Sequence, residues 1–425
     1  MHLTTACPTA GPTPTLSPLR LDLRELIYVL SGVLDFVGVS DVSHGKRVAY
    51  MAVATGRALG LDPRRLDALF EAALLHDAGV STTREHDKLI SQYAFLEVDW
   101  HCVRGQDLFL RFPPTAHLAP IIAYHHTPWS RLREADNGLS ESTRVASNII
   151  HLVDRVDALL SRQRGTDPAL MRPCILEILE AADHGSFAPE VLEAFREVSA
   201  RDAFWFGLDA DALHVELAPL ARNSRYRTLT AAELTELASI FASIVDAKSP
   251  FTGEHSAGVG RLSAHLAALA GLDEEHRHRV EIAALLHDVG KLRIPDAILD
   301  KPGPLDPAEW ATMKRHAYYT YQILAQITGF DEIAVWAGYH HESPNGSGYP
   351  FGGADTTLSL ESRIVSVADV VQALAQARPY REPLSPGRTM VILDSLVSAG
   401  KLDGDLVALV AADRDACWQL AVGHA

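Results

Sequence analysis

The 425-residue chain predicts an all-α protein made of one helical unit written twice. Apolar residues recur at three- and four-residue spacings, helix-start signals recur, and strand-like alternation is scarce. The segment ALLHDAG at 73–79 returns as ALLHDVG at 284–290, which anchors an internal repeat.

Taken in order, residues 1–20 are Thr- and Pro-rich and read as a flexible tail without the apolar core of a secretory signal. The stretch RRLDALFEAALLHD sets Leu66, Leu69, Phe70, Ala73 and Leu74 on one helix face. Asp62-Pro63 and Asp306-Pro307 each offer an N-cap followed by Pro at the first helical position. Thr230 and Glu233 form a capping box ahead of an apolar-periodic run. ILEILEAADHGSFAPEVL at 175–192 mirrors ILDSLVSAGKLDGDLV at 392–407, so the units are 21–200 and 229–425. Residues 201–228 read as a linker whose aromatics pack between the two.

Composition sets limits. Apolar residues make up 47% of the chain, which excludes disorder throughout. Against 54 acidic residues stand 38 basic ones, a net charge of −16 that argues against long nucleic acid as a partner. No apolar run reaches membrane-spanning length, so neither a membrane anchor nor an export route is expected, and the chain reads as cytoplasmic. Cys7, Cys102, Cys174 and Cys417 lie far apart and suggest neither a disulfide frame nor a thiolate metal site. Twenty histidines stand out.

Half of those histidines fall into the repeat. His44, His76, Asp77, His101, His125, His126 and Asp154 correspond to His255, His287, Asp288, His316, His340, His341 and Asp369. Separations of 32 (His44 to His76), 24 (His101 to His125) and 28 (His126 to Asp154) are identical in the second copy. Only the step from the first His-Asp pair to the next His differs, 25 residues against 29, where the second copy carries KPGP. A single histidine on an apolar helix face is ordinarily a packing residue. Duplication alone does not keep His and Asp while their neighbours diverge, so the joint pattern points to metal.

Imidazole and carboxylate donors without thiolate suit iron, manganese or zinc. Seven donors exceed one tetrahedral ion but suit two ions sharing a carboxylate. Such pairs, about 3.5–4 Å apart, hold a bridging hydroxide and clamp a phosphate for in-line attack.

These residues resemble the HD phosphohydrolases, and the second copy resembles their HD-GYP subfamily. The likeness is carried by TGEHS at 252–256, LLHDVGKLRIPDAIL at 285–299, KPGPL at 301–305, MKRH at 313–316, HHESPNGSGYP at 340–350, SRIVSVAD at 362–369 and RPYR at 378–381. The resemblance implies two tandem HD-type helical bundles and hydrolysis of bacterial cyclic dinucleotides. Cyclic di-GMP, cleaved to pGpG or GMP, is the main reading. The alternatives are 3′,3′-cyclic GMP-AMP hydrolysis and a cyclic-dinucleotide receptor that signals through a protein partner.

By position, the resemblance gives one metal to His255, His287, Asp288 and Asp369. It gives the other to His316, His340 and His341, with Asp288 bridging. Lys291 matches a lysine that contacts the scissile phosphate. Gly348, Tyr349 and Pro350 match the signature loop, and Arg378 and Arg381 match positions that meet the dinucleotide. Phe251 stands where some members carry a glutamate for a third ion, so two divalent ions, iron or manganese, are expected. Asn345 and Gln372 replace aspartates common in the family.

The first copy keeps all seven donor-type residues but has Val80 in place of Lys291 and no GYP after its His pair. Its expected roles are regulation, nucleotide sensing or hydrolysis of another phosphoester. The two copies pairing as an intramolecular pseudo-dimer, or the chain forming a homo-oligomer, are the expected assemblies.

Overall fold

A computed structural model describes residues 21–34, 43–80, 82, 85, 99–134, 138–163, 165–181, 185–222, 229–248, 254–352, 358–376 and 382–423. Among them there is no strand, and the fold is all-α. The first unit comprises α1 (Leu23–Leu34), α2 (His44–Ala58), α3 (Pro63–Leu75), α4 (Asp99–Leu110), α5 (Ala119–Ala123), α6 (Glu141–Arg162), α7 (Pro168–Ala181) and α8 (Pro189–Ser199). Then come α9 (Asp202–Phe206) and α10 (Ala210–Arg222). The second comprises α11 (Ala231–Lys248), α12 (His255–Leu269), α13 (Glu274–Leu286), α14 (Arg315–Leu324), α15 (Asp331–Gly338), α16 (Leu360–Ala375), α17 (Pro386–Ser398), α18 (Gly404–Ala412) and α19 (Arg414–Val422).

The local signals act where they stand. Asp62 accepts from the amides of Arg64 and Arg65 at 2.9 and 3.1 Å, and Pro63 opens α3. α3 buries Leu69, Phe70, Ala73 and Leu74, while Leu66 is half-buried. Burial of each such large apolar side chain stabilises by about 1.5–3 kcal/mol. Thr230 Oγ1 accepts from the Glu233 amide at 3.2 Å, and Glu233 accepts from the Thr230 amide at 2.9 Å. Asp306 and Glu309 form the same reciprocal box at the helix Pro307–Met313.

Repeat partners occupy the same places. α2 and α3 pack together as α12 and α13 do, and α6 and α16 lie against α2 and α12 in their respective units. His44 and His255 each begin a helix; His76 and His287 each cap the end of one. The periodicity of the sequence thus becomes a periodicity of placement.

The stretch expected as a linker is in part helical. α9 packs on α7 and α8, and α10 packs on α1 and α2, so residues 202–222 lie against the first unit. Trp205 is fully buried and donates through Nε1 to the Ser199 carbonyl at 2.8 Å. The aromatic and aliphatic content of DAFWFGLDADALHVEL explains this: Phe204, Leu213 and Leu217 are buried as well.

The units meet through α1. It packs on α3 within its own unit, and also on α14 and the 3₁₀ turn Val289–Arg293 of the second copy. Thr328 Oγ1 donates to Glu25 Oε1 across this contact at 2.8 Å. Buried apolar side chains of both units form one continuous cluster.

Candidate metal centres

In the second copy, four helix ends and one helix middle converge. His255 opens α12, His287 and Asp288 follow α13, His316 lies in α14, His340 and His341 follow α15, and Asp369 lies inside α16. Asp288 sits between two groups of imidazoles. Its Oδ2 is 3.2 Å from His287 Nε2 and 3.5 Å from His255 Nε2. Its Oδ1 is 3.5 Å from His316 Nε2 and 3.9 Å from His340 Nε2. Asp369 Oδ1 lies 3.3 Å from His255 Nε2 and 4.0 Å from His287 Nε2. His341 completes a triad with His316 and His340.

The rings are held from behind. Nδ1 of His287, His316 and His340 donates to the carbonyls of Ala284, Met313 and Ala337 at 2.6, 2.7 and 2.6 Å. His255 Nδ1 donates to Gln372 Oε1 at 2.5 Å. In His287, His316 and His340 this leaves Nε2 as the lone-pair nitrogen, aimed inward, as outer-shell hydrogen bonds arrange for metal-binding histidines.

Two observations test whether these residues fit cations. Asp288 Oδ1 and His287 Nε2 are buried without a hydrogen-bond partner, a cost of about 1–3 kcal/mol each unless something compensates. The Nε2 atoms of His316 and His340 approach to 3.5 Å, the spacing two imidazoles adopt on one ion when each bond is about 2.1 Å. The donor set fits divalent cations, with Asp288 offering one oxygen to each group.

Electrostatics agree. Burial, then His341, pushes His316 down to about 3, and burial pushes His341 down to about 4, so both are neutral donors near pH 7. His255 differs: burial opposes its charge, but hydrogen bonds to Asp288 and Asp369 outweigh it and raise the ring to about 10, so a cation bound there would have to displace the Nε2 proton. Burial likewise opposes charge on Asp288, yet His287 and Lys291 hold its carboxyl well below the usual range. Lys291 Nζ rests on Asp288 Oδ2 and is part-exposed.

Of the signature loop, Gly348 and Tyr349 press against the His341 segment. A Cβ on Gly348 would meet Glu342 Cα at 2.4 Å and the His341 carbonyl oxygen at 2.6 Å, so a side chain has no room. The Tyr349 amide donates to the His341 carbonyl at 3.2 Å, and its ring lies 4.8 Å from that of His341. Glu342, which sequence reasoning passed over, is buried and accepts from the amides of Phe351 and Gly352 at 2.6 and 3.0 Å. Asn345 donates to the Ala399 carbonyl at 2.8 Å, a bond an aspartate could not make. Arg378, Arg381 and Phe251 lie outside the described residues.

The first copy brings its seven donors together in the same arrangement. Asp77 Oδ2 is 3.5 Å from His44 Nε2 and 3.6 Å from His76 Nε2. Its Oδ1 is 3.5 Å from His101 Nε2 and 3.8 Å from His125 Nε2. Asp154 lies 3.5 Å from His44 and 3.9 Å from His126. Asp77 Oδ1 is another buried oxygen without a hydrogen-bond partner.

The surroundings differ. Val80, buried, replaces Lys291, and the cation here is Arg155, 2.7 Å from Asp154 Oδ2. Asp157 takes the place of Gln372, accepting from His44 Nδ1 at 2.7 Å and from Arg47 at 2.5 and 2.8 Å. Cys102 Sγ stands 3.5 Å from His101 Nε2 and joins that group of donors. Its wide spacing from other cysteines hid it; its signal was adjacency to His101.

An all-α chain with two copies of one bundle, each closing a His/Asp cluster round a central aspartate, defines a tandem HD-domain protein. HD domain family models match residues 42–160 and 239–406. Over 413 residues the chain is 34% identical to the 3′3′-cGAMP-specific phosphodiesterase 1 of Vibrio cholerae, with 95% of each chain covered. A crystal structure of a cyclic GMP-AMP specific phosphodiesterase of Vibrio cholerae overlays with a TM-score of 0.64 at 25% identity, covering 95% of this chain and 98% of that one. A cyclic di-GMP phosphodiesterase response regulator of Xanthomonas campestris is 46% identical over 136 residues, 31% of this chain and 36% of that protein. The chain belongs to the HD-domain phosphodiesterases, with homology to members of HD-GYP type.

No helix among the described residues is long and apolar enough to cross a membrane.

Proposed function

We propose that the chain is a metal-dependent cyclic dinucleotide phosphodiesterase acting on 3′,3′-cyclic GMP-AMP, with hydrolysis performed in the second copy. The observation that carries this is Asp288, which offers one oxygen to each of two imidazole groups while Lys291 rests on it. His255, His287, Asp288 and Asp369 would hold one divalent cation; His316, His340 and His341, with Asp288, would hold the other. Once bound, such ions neutralise phosphate charge and bring water towards ionisation near neutral pH.

The protein's own groups do the rest. Lys291 keeps a part-exposed ammonium beside the bridging carboxylate, where it can meet the phosphoryl oxygens as charge develops. Tyr349, fixed by the Gly348 close approach, walls the side of His341. A chain of net charge −16 can receive an anion here because cations gather at one point.

The near-full-length likeness to the 3′3′-cGAMP-specific relative supports cyclic GMP-AMP over cyclic di-GMP, which the sequence motifs alone put first. The cyclic di-GMP relative of Xanthomonas campestris matches over only 31% of the chain. For the first copy we favour regulation: Val80 replaces Lys291, and α1 seats on the turn that carries Lys291. Metal-replete protein incubated with each cyclic dinucleotide, with products separated by chromatography, tests the reading. Cyclic GMP-AMP should be linearised fastest. Faster turnover of cyclic di-GMP would restore the other substrate, and no turnover of either would favour a receptor.

A further inference from the structure

An exposed indole stands at the rim of the second centre, and neither the metal chemistry nor the signature loop accounts for it. Trp310 is 45% exposed, unusual for so large an apolar side chain. Its ring meets Tyr349 edge-on, with centroids 5.8 Å apart at 80°. Tyr349 in turn lies 4.8 Å from the His341 ring and 6.4 Å from that of His316. A continuous aromatic path thus runs from the metal-facing imidazoles to solvent.

Trp310 is also held in place. It sits on the helix Pro307–Met313, whose start is fixed by the Asp306–Glu309 capping box. Glu309 additionally pairs with Lys301 at 2.5 Å, which ties the KPGP loop to the same helix. That loop is the four-residue excess of the second copy over the first. The excess therefore supports a rigid perch for an aromatic ring beside the mouth.

We infer that Trp310 is a stacking platform for a purine base of the substrate. The inference rests on the cyclic dinucleotide reading above. Every purine presents a flat π face, and a part-exposed aromatic ring held by a neighbouring ring is a partner such a face can use. Tyr349 positions the indole from below, so the base would lie over the rim while its phosphate faces Lys291.

The test uses full-length, metal-replete protein and two diesters: 3′,3′-cyclic GMP-AMP, and the corresponding cyclic diribose bisphosphate that lacks both bases and carries no aromatic ring. Trp310→Ala should raise KM for the cyclic dinucleotide about 5- to 100-fold, the range that loss of one base stack gives. Metal content, kcat and turnover of the base-free diester should stay near wild type, and Trp310→Phe should recover most of the lost affinity. An unchanged KM, or an equal loss on both diesters, would overturn the stacking role while leaving the enzyme reading intact. Wild-type protein that cleaves the base-free diester but no cyclic dinucleotide would instead overturn the parent reading, and the stacking role with it.

Discussion

Gly290 lies so close to His316 that a Cβ on it would stand 2.0 Å from the His316 carbonyl oxygen. The Gly290 amide donates to Thr320 Oγ1 at 3.0 Å, and that hydroxyl donates to the His287 carbonyl at 2.9 Å. The turn bearing His287 and Asp288 is thereby bolted to the helix bearing His316. In the first copy Gly79 meets His101 in the same way, at 1.9 Å. The glycine three residues after the histidine of the repeat anchor is a spacing device for the two halves of each centre.

Gly290→Ala should therefore push α14 away from the turn. Overpacking of this kind costs about 1–3 kcal/mol. We expect a lower Tm together with loss of metal from the second centre, read by thermal melting and elemental analysis. Full metal content with normal turnover would show that the contact is not needed.

Asp288→Ala should abolish cyclic dinucleotide hydrolysis, whereas Asp77→Ala should leave most of it. The pair of variants assigns the chemistry to one copy. Loss in both alike would make the first centre catalytic or essential to the second.

Lys291→Ala should lower kcat about 10²- to 10³-fold, as removal of one group stabilising transition-state charge does. Metal content should not change, because Lys291 donates a hydrogen bond to Asp288 and is not itself a candidate metal ligand. Metal loss in this variant would move Lys291 from chemistry to site assembly.

Gln372→Leu removes the acceptor that orients His255. Outer-shell losses weaken metal binding about 10- to 100-fold. The variant should release metal at a lower chelator concentration than wild type, and Gln372→Asp, which restores an acceptor as Asp157 does in the first copy, should hold it. Equal chelator resistance of wild type and Gln372→Leu would exclude this support.

Chelation should lower Tm, since a cation present at 100 times its Kd adds about 2.7 kcal/mol to the folded state. If both centres load, Asp77→Ala and Asp288→Ala should each lose part of the metal-induced rise. A Tm indifferent to added manganese or iron would count against occupied centres.

Helix caps were legible because their bonds are local: Asp62 reaches Arg64 and Arg65, and Thr230 reaches Glu233, within three residues. The two His/Asp sets were legible as candidate donors for another reason. Two diverged copies kept His and Asp at common separations, which a single unit could not have revealed. The helical character of 202–222 was harder to see, because it depends on Trp205 and Leu213 finding the first unit's surface.

By itself, then, the sequence determined the all-α class, the duplication and the fourteen candidate donors of two His/Asp sets. Only the tertiary structure decided which oxygen of Asp288 faces which histidines, that Gln372 orients His255 from 117 residues away, that Cys102 joins the first centre, and that Trp310 overlooks the second. Composition and spacing record which groups can meet along a helix or across a repeat. Contacts between segments a hundred residues apart are fixed by how the helices pack, and packing is written in no single stretch of chain.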